Sequence, residues 1–465
     1  MESHIVEIKI RDYIKSDFQE VSKDATSEEK ELYLKRIGFE QHPKGGYEFY
    51  CNTFARFFLK NTDVVSLSNE EELALYNQKK GVYELKCEQK LGKIIKFMMN
   101  QVLDLWMPSH EQLALKAIRR DVSRIATAFN NGEYINLQDG ILNLDDFELY
   151  EHSPEFLSTV QLPFKYNDRM YTPVFEKYIA DIVCGNYELE HVLQELLGYC
   201  LCTSTVAEKA FFLVGGGCNG KSVFAKLIQM LVGEGNYSNT SLSALSGTFG
   251  LAQLINSNVN ISAENSSGKV NSEIFKAVVS GDTCEVNRKY KDALSVKLHT
   301  KLVLLFNTLP ECDDLSYGFF RKILIIPFNK TITKENIDVE LIDKLEHELS
   351  GIFHWALKGL QRLRKNNFVF SQCAACKREL DKYKRSLNPV AEYIVFNLNL
   401  KSENSMKRSD IYKAYTKYCY DNSVEILQCQ KFWKLYKAYY TDRGIPFVTC
   451  KIKGYEYVRG VEFAK

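Results

Sequence analysis

The sequence has no long apolar run, little proline and no low-complexity segment. No stretch of its 465 residues approaches the roughly 18 apolar residues that cross a membrane. The opening MESHIVEIKIRDYIK mixes charged with apolar side chains and lacks the apolar middle of a secretion signal. These absences argue against a membrane-embedded or secreted protein, and we expect a cytoplasmic one.

Cysteine is present, but it forms no pattern typical of a metal site. The thirteen cysteines are an odd number scattered through the chain, as expected of reduced thiols in a cytosolic protein. Cys373 and Cys376 form a single CxxC without a second pair or His partners at zinc spacing. Two thiols one helical turn apart explain this pair better than a metal does.

The charge is nearly balanced overall but unevenly spread. The whole chain carries +1, whereas residues 371–465 hold eighteen Lys and Arg against ten Asp and Glu, a net charge of +8. Aromatic residues interleave with these lysines in YKAYTKYCY and KFWKLYKAYY. This tail is a candidate for nucleic-acid binding, and a solvated helix face with inward-packed tyrosines accounts for it equally well.

Hydrophobic periodicity divides the chain into helical and α/β stretches. The first 100 residues look mostly helical, with helix-period runs in EEKELYLKRIGF and GKIIKFMMNQVLDLW. Residues 135–153 alternate apolar with polar around Asp-Gly, which predicts a hairpin, and residues 187–201 predict a helix. From Ala210 to about Phe328 strands and helices alternate, as in α/β proteins.

Helices dominate again after the run at residues 347–365. Residues 444–463 predict a terminal β-hairpin. Helices followed by a hairpin in a basic region suggest a small winged-helix-like domain.

One short motif carries specific chemistry: GGGCNGKS, residues 215–222. It matches the pattern G-x-x-x-x-G-K-[ST], in which backbone N–H groups of a glycine-rich turn surround a phosphate chain. A buried-strand run, KAFFLV, precedes it and a helix pattern, SVFAKLIQMLV, follows. We predict that a nucleoside triphosphate with Mg²⁺ binds here, through Gly215, Gly216, Gly217, Cys218, Asn219, Gly220, Lys221 and Ser222.

The two polar side chains of this motif have separate predicted roles. Lys221 would reach the β- and γ-phosphates, and the Ser222 hydroxyl would bind Mg²⁺. The positive end of the following helix dipole would face the anion.

Three further residues stand where a hydrolytic site needs them. Glu264 ends the strand pattern NVNISAENSS and is a candidate acid near Mg²⁺ and water. Asn307 ends the buried run KLVLLFNTLP and could orient the attacking water. Arg321, with Lys322, precedes a third buried strand and could reach a neighbouring subunit's γ-phosphate.

The order of these motifs carries a resemblance. The phosphate loop, AEN, SGDTCEVNRKYKD, LLFNTLP and FFRKILIIPF follow one another as in a superfamily 3 helicase. More closely, the chain resembles the helicase half of phage, plasmid and poxvirus-type primase-helicases. The resemblance is strong over about residues 130–365 and weak in the flanks.

This resemblance implies an α/β AAA+ ATPase core that works as a ring, usually a hexamer. Glu264 would be the Walker B acid, Asn307 the sensor and Arg321 a finger acting in trans. Residues 285–300 would form a hairpin that projects into the central channel. Lys289, Tyr290 and Lys291 would lie at its tip, where positive charge suits the backbone of a DNA strand.

The chain also departs from the pattern it resembles. Ala263 and Asn265 flank Glu264, although many relatives have two adjacent acids, so the group that positions the metal-bound water stays open. No paired-acid polymerase site or zinc cluster stands before residue 170, and priming is not assigned. Residues 1–130 could form a collar, a partner-docking domain or part of an origin-binding surface.

We therefore expect three domains. Residues 1–170 would be a mostly helical α+β accessory or collar region, residues 171–368 the helicase domain, and residues 369–465 the basic winged-helix-like domain. The expected partners are single-stranded and forked DNA, origin duplex DNA at the C-terminal domain, and further copies of the chain.

The leading function is an ATP-dependent DNA helicase in the replication of a mobile element or virus, which could also be an origin-binding initiator. An ATP-switched oligomer that recruits partners without translocating is the alternative. A DNA-binding protein with a vestigial ATPase is a third possibility.

Overall fold

The computed structural model of the protein describes most of the chain. The residues described are 8–22, 24–67, 72–126, 129–130, 133–166, 171–255, 257–262, 270–289, 291–333, 335 and 337–464. At positions 291, 401 and 402 only the backbone is described. The chain divides into two compact units, Met1–Arg169 with Gly233–Gly235, and Met170–Val232 with Asn236–Lys465. The fold is mixed α/β with several separate sheets.

Over its described residues, the first unit combines helices with short strands. Its helices are α1 (Ser27–Arg36), α2 (Cys51–Asn61), α3 (Glu88–Met99) and α4 (Pro108–Asp121). Its strands are β1 (Phe39–Gln41), β2 (Tyr47–Phe49), β3 (Val64–Leu67), β4 (Leu73–Asn77), β5 (Val82–Glu84), β6 (Ile125–Ala126), β7 (Tyr134–Leu137), β8 (Gly140–Asn143) and β9 (Leu149–Tyr150).

The helical prediction for this unit was only partly right. A four-stranded sheet in the order β5-β4-β3-β6 occupies a region where the sequence had suggested helix. The helix predicted over GKIIKFMMNQVLDLW ends at Met99 because the side chain of Asn100 closes a turn. Its Oδ1 accepts from the main-chain N–H of Leu105 at 3.1 Å and of Trp106 at 2.9 Å.

The hairpin predicted at residues 135–153 is confirmed. Strands β7 and β8 pair antiparallel across a two-residue turn, with Leu137 opposite Gly140. A third strand, β9, pairs with β8 and extends the hairpin to three strands.

The second unit contains the α/β region and the C-terminal region. Its helices are α5 (Pro173–Val183), α6 (Tyr187–Leu201), α7 (Lys221–Val232), α8 (Ser272–Ser280), α9 (Tyr317–Phe320), α10 (Leu341–Glu346), α11 (Leu349–Lys365), α12 (Ala374–Leu387), α13 (Val390–Asn397), α14 (Arg408–Asp421) and α15 (Cys429–Asp442). Its strands are β10 (Ala210–Val214), β11 (Tyr237–Ser238), β12 (Val259–Ser262), β13 (Thr283–Arg288), β14 (Lys291–Lys297), β15 (Lys301–Phe306), β16 (Ile323–Pro327), β17 (Leu398–Lys407), β18 (Thr449–Ile452) and β19 (Tyr455–Phe463).

A five-stranded parallel sheet organises the α/β region. Its order is β11-β12-β15-β10-β16, so the strand before the phosphate loop lies inside the sheet. Strands β10 and β15 are almost continuous apolar runs, AFFLV and KLVLLF, as expected of strands covered on both faces. Because all five strands are parallel, their carboxyl ends meet at one edge, where ligands bind in open α/β sheets.

Helices α6 and α11 pack closely beside this sheet. Gly198 of α6 and Gly359 of α11 each face main-chain atoms of the opposite helix, which lets the two backbones approach. The carboxylate of Glu195 is 1% exposed at this contact. It accepts hydrogen bonds from Arg362 Nε at 2.7 Å, and from the N–H and hydroxyl of Ser371 at 2.8 and 2.6 Å. Burial of the Glu195 charge is tolerated because Arg362 and Ser371 supply an ion pair and hydrogen bonds.

The C-terminal region runs helix, strand, helix, helix, strand, strand from α13 to β19. The terminal hairpin predicted at residues 444–463 is present as β18 and β19, and β17 pairs with β19 in the order β17-β19-β18. The strand β17 was missed by the sequence analysis, which expected helices up to the hairpin. The core of this region is largely aromatic, with Tyr393, Tyr415, Phe432 and Tyr436 buried together.

No helix in the described ranges is long and apolar enough to cross a membrane. The division into domains at residues 1–170, 171–368 and 369–465 stays a prediction.

Gly359→Ala is expected to destabilise the protein, although alanine is the better helix former. A Cβ at this position would overlap the main-chain oxygen of Gln194. Such overpacking typically costs about 1–3 kcal/mol, and because main-chain atoms cannot rotate away we expect the cost to exceed the gain of roughly 1 kcal/mol from replacing a helical glycine by alanine. Thermal unfolding followed by circular dichroism should show a lower midpoint.

Gly318→Ala in α9 is the matched control, because a Cβ there meets only the Ser316 hydroxyl, at 3.6 Å. If Gly359→Ala unfolds at the same temperature as Gly318→Ala, the α6–α11 contact is not as close as described.

Candidate nucleotide-binding site

The turn between β10 and α7 is fixed by its neighbours on the sheet. The N–H of Gly215 donates to the carbonyl of Phe306, at the end of β15, at 3.2 Å. On the other side, the N–H of Phe328 donates to the carbonyl of Val214 at 2.7 Å, and Asn219 Nδ2 donates to Phe328 O at 3.0 Å. The loop is therefore anchored to the strands that flank β10 on both sides.

Two positions of this loop require glycine, one because a side chain would overlap a neighbour and the other because its backbone is left-handed. A Cβ on Gly215 would overlap the carbonyl oxygen of Phe328. Gly220 has φ +88°, in the left-handed region that favours glycine, and a Cβ there would lie 2.9 Å from Ile182 Cγ2. Around Gly216 and Gly217 a Cβ would meet nothing within 4 Å, so this side of the loop is open to a ligand.

Lys221, the first residue of α7, turns its ammonium back over the loop. Its Nζ donates to the carbonyls of Gly215 at 2.5 Å and Gly216 at 2.8 Å, and to Asn219 Oδ1 at 3.1 Å. A longer contact of 3.4 Å reaches Asn307 Oδ1, just after β15. Burial lowers the pKa of Lys221 from its usual value. Among the described residues its partners are neutral carbonyl and amide oxygens, which are weaker partners for a cation than a charged oxygen is.

A cleft of about 1340 Å³ opens beside this loop. It exceeds the roughly 300–1,000 Å³ of ordinary small-molecule sites and has room for a nucleoside triphosphate. Its walls are residues 216–223 of the loop and α7, residues 305–308 at the end of β15, one face of α5, and residues 330–332, 337, 338 and 341.

Helix α5 forms a wall that the sequence analysis did not identify. The hydroxyl of Tyr178 donates to the carbonyl of Gly220 at 3.0 Å, and Asp181 forms an ion pair with Lys330. The carboxylate of Glu348 holds the start of the helix by accepting from the N–H groups of Val174 at 3.1 Å and Phe175 at 2.8 Å. The four-residue spacing of apolar residues in PVFEKYIADIV could have predicted this helix, but not its contact with the loop.

The other predicted phosphate and metal residues are placed as follows. Ser222 lines the cleft in the first turn of α7, and Asn307 lines it at the end of β15. The predicted Walker B acid, Glu264, lies outside the described residues, which resume at position 270 after β12 ends at Ser262. The structure thus brings Lys221, Ser222 and Asn307 to one cleft.

Arg321 lies at the other edge of the sheet. It precedes β16, whose first residue, Ile323, pairs with Ala210 at the start of β10. The phosphate loop follows the far end of β10, and four residues of strand span about 13 Å. Arg321 therefore does not share a cleft with its own phosphate loop.

The side chain of Arg321 is 53% exposed beside Glu208, at 3.5 Å. Lys322 is buried and bonds more closely, to Glu208 at 2.8 Å and to the Ser280 hydroxyl at 2.6 Å. The hydrogen bond from Lys322 is the main cause that lowers the pKa of Glu208. Lys322 thus has a structural role through its buried contacts, whereas the side chain of Arg321 is accessible to solvent.

The hairpin predicted at residues 285–300 is present as β13 and β14. Lys289 lies in its turn, with its ammonium 5.8 Å from the centre of the exposed Phe249 ring. Lys291 is the first residue of β14, described by its backbone alone, and Tyr290 lies outside the described residues.

Two family models match parts of the chain. Residues 213–321 match a family of unknown function, DUF5906, and residues 69–184 match the family described as D5 N terminal like. A protein of Acanthamoeba polyphaga mimivirus, named "Putative helicase", is 23% identical over 270 residues. That alignment covers 51% of this chain and 28% of the mimivirus protein, so the chain spans under a third of that relative's length.

Among solved structures, the A form apo structure of the NrS-1 C-terminal region superposes with a TM-score of 0.50 and 13% identity. It covers 85% of this chain and 95% of that one. A second apo structure of the same region gives a TM-score of 0.50 at 12% identity, over 89% of this chain and 100% of that one. At this identity the likeness shows a similar fold. Together the similarities support a relationship to phage and viral primase-helicase-like proteins.

Proposed function

We propose that the protein is an ATP-dependent DNA helicase that works as a hexameric ring in the replication of a phage, plasmid or other mobile element. The observation that carries the proposal is the Lys221 ammonium, held over an open phosphate loop in a cleft of about 1340 Å³. The relationship to primase-helicase-like proteins supports it.

In this proposal residues 171–368 form a superfamily 3 AAA+ core that binds ATP and Mg²⁺. Residues 215–220 hold the phosphates, and Lys221 exchanges its carbonyl partners for phosphate oxygens. The residues suit Mg²⁺, since the exposed hydroxyl of Ser222 lines the cleft beside the loop. Bound Mg²⁺ would offset the phosphate charge, with Glu264 as the acid nearby.

Asn307 is proposed to orient the attacking water. Its strand is the direct neighbour of β10, which puts its amide beside Lys221 at 3.4 Å. The amide oxygen of Asn307 can accept a hydrogen bond from water without adding charge next to the triphosphate.

Arg321 is proposed to act on a neighbouring protomer's ATP. It is exposed and lies at the sheet edge opposite its own phosphate loop. A head-to-tail ring brings such an edge against the next protomer's cleft, because each heterologous contact joins two different surfaces. This arrangement makes hydrolysis depend on assembly.

The β13–β14 hairpin is proposed to contact DNA in the channel of the ring through Lys289, Tyr290 and Lys291. Cations at the turn suit a phosphate backbone irrespective of base sequence. Movement of these hairpins with the ATP state would draw one strand through the ring.

Residues 369–465 are proposed to form the winged-helix-like domain that binds origin duplex DNA. Two helices, α14 and α15, lie between its first strand and its terminal hairpin, and Lys431, Lys434 and Lys437 are exposed along α15. The net charge of +8 over residues 371–465 favours this contact. Residues 1–170 would then be an accessory or collar region.

Lys221→Ala is expected to abolish both ATP hydrolysis and strand displacement on a forked duplex, because the phosphates lose their principal cation. Steady-state phosphate release and fork unwinding measure the two activities. Lys226→Ala, an exposed lysine on the same helix, should retain both. Hydrolysis without unwinding by the wild-type protein would instead favour an ATP-switched oligomer that does not translocate.

Arg321→Ala is expected to bind ATP with near-normal affinity and to lose most of its hydrolysis. Fingers of this type contribute about 10³–10⁵ in turnover where they have been measured. Binding of a fluorescent ATP analogue, measured beside turnover, separates the two effects. Unchanged turnover at concentrations where the protein is assembled would reject the role of Arg321.

Lys289→Ala combined with Lys291→Ala is expected to spare basal ATP hydrolysis and to abolish unwinding, because the hairpin is separate from the cleft. Fork displacement and phosphate release measure the two effects. Lys297→Ala, at the base of the same hairpin opposite Thr283, is the control and should unwind normally. Normal unwinding by the double variant would remove the hairpin from the mechanism.

A further inference from the structure

The first unit contains a polar cleft of about 950 Å³ that the proposed motor does not use. It lies between the ends of α2 and α4 and the start of β3. Five cationic side chains line it: Lys15, Arg56, Lys60, Arg120 and Arg124. Three acidic side chains line it as well: Asp63, Asp121 and Glu155.

Two of the cations are already neutralised. Asp63 lies 3.0 Å from Lys15 Nζ and 3.8 Å from Arg124, and it also accepts from Gln78 Nε2 at 2.8 Å. Glu155 lies 2.9 Å from Arg124. These pairs fix one wall of the cleft, and that wall carries little net charge.

The other three cations have no ion-pair partner in the described part of the chain. Arg56 and Lys60 stand four residues apart on α2, so they share one face of that helix, and Arg120 stands near the end of α4. All three are exposed, and Asp121 is the one lining acid that is likewise unpaired among the described residues. The cleft therefore has an excess of two unpaired positive charges.

Ordinary helix electrostatics explains part of this set. Lys60 and Arg120 stand in the last turns of their helices, where a cation favours the helix dipole. Arg56 stands in the middle of α2 and gains nothing from that effect. It shares one face of α2 with Lys60, at the open cleft.

The lining also indicates the class of ligand. Among the described residues, its apolar members are Leu59, Val64 and Val122, and none of the lining side chains is aromatic. Aromatic side chains are the usual platforms on which nucleobases stack. A site with cations and no such platform suits the phosphates of a chain better than a base or a free nucleotide.

We propose that this cleft binds the sugar-phosphate backbone of single-stranded nucleic acid through Arg56, Lys60 and Arg120. The contact is independent of base sequence and of ATP. It goes beyond the proposed function, because it gives the first unit a nucleic-acid site of its own, separate from the β13–β14 hairpin.

The test uses the full chain without nucleotide, in the Lys289→Ala, Lys291→Ala background. Binding of a fluorescein-labelled oligodeoxythymidine is followed by anisotropy between low and moderate salt. Arg56→Ala with Arg120→Ala is expected to weaken binding about tenfold and to reduce the slope of log affinity against log salt by about 1.4, the value for two lost phosphate contacts on a single strand.

Lys35→Ala with Arg36→Ala is the matched control, because these exposed cations end α1 and do not line the cleft. It should keep the parental affinity and salt slope. Thermal midpoints of both double variants should match their parent, which separates lost contacts from lost folding. An oligouridine arm tells whether the site prefers DNA or RNA.

Unchanged affinity and salt slope in Arg56→Ala with Arg120→Ala would overturn the proposal. Equal competition by an acidic polypeptide of matched charge would also overturn it, in favour of a protein partner. If the wild-type protein hydrolyses no ATP while Arg56→Ala with Arg120→Ala still weakens oligonucleotide binding, the proposed motor is rejected and the proposed binding site is retained.

Discussion

The anchoring of one strand-to-helix turn within a parallel sheet is the constraint on which the rest of the site depends. The loop after β10 is bonded on one side to Phe306 and on the other to Phe328, so its path follows the two neighbouring strands. Gly215 and Gly220 allow the close approach that these bonds require. In this loop Lys221 brings its ammonium back over the carbonyls of Gly215 and Gly216. In the proposed function phosphate oxygens would replace those carbonyls.

The same sheet separates the two halves of the proposed catalytic site. Its carboxyl edge carries the loop, Ser222 and Asn307, and its amino edge carries Arg321, about 13 Å away along the strands. Because the strands are rigid and parallel, motion within one protomer cannot unite these edges. In the proposed ring a second protomer would do so, and hydrolysis would then depend on assembly.

Local sequence predicted the strand-turn-helix unit around residues 215–220, helix α6 and the terminal hairpin, because each is determined by periodicity or by a short motif. The polar run LNLKSENSMK gave no such signal, and it became strand β17 through pairing with the distant β19. The contact of Tyr178 with Gly220 joins residues 42 positions apart, so no local pattern could reveal that α5 forms a wall of the cleft. The position of Arg321 relative to the loop likewise could be inferred only from the order of the strands in the sheet. Glu264 and Tyr290 stay predictions.

The most direct test of the account mixes two inactive proteins. Differently tagged Lys221→Ala and Arg321→Ala chains are produced together, and assemblies that contain both tags are isolated and assayed for ATP hydrolysis. An intact loop in one protomer then meets an intact arginine from its neighbour at about a quarter of the contacts in a randomly mixed ring. The account predicts recovery of roughly that share of wild-type turnover. Mixed assemblies as inactive as either variant alone would contradict it.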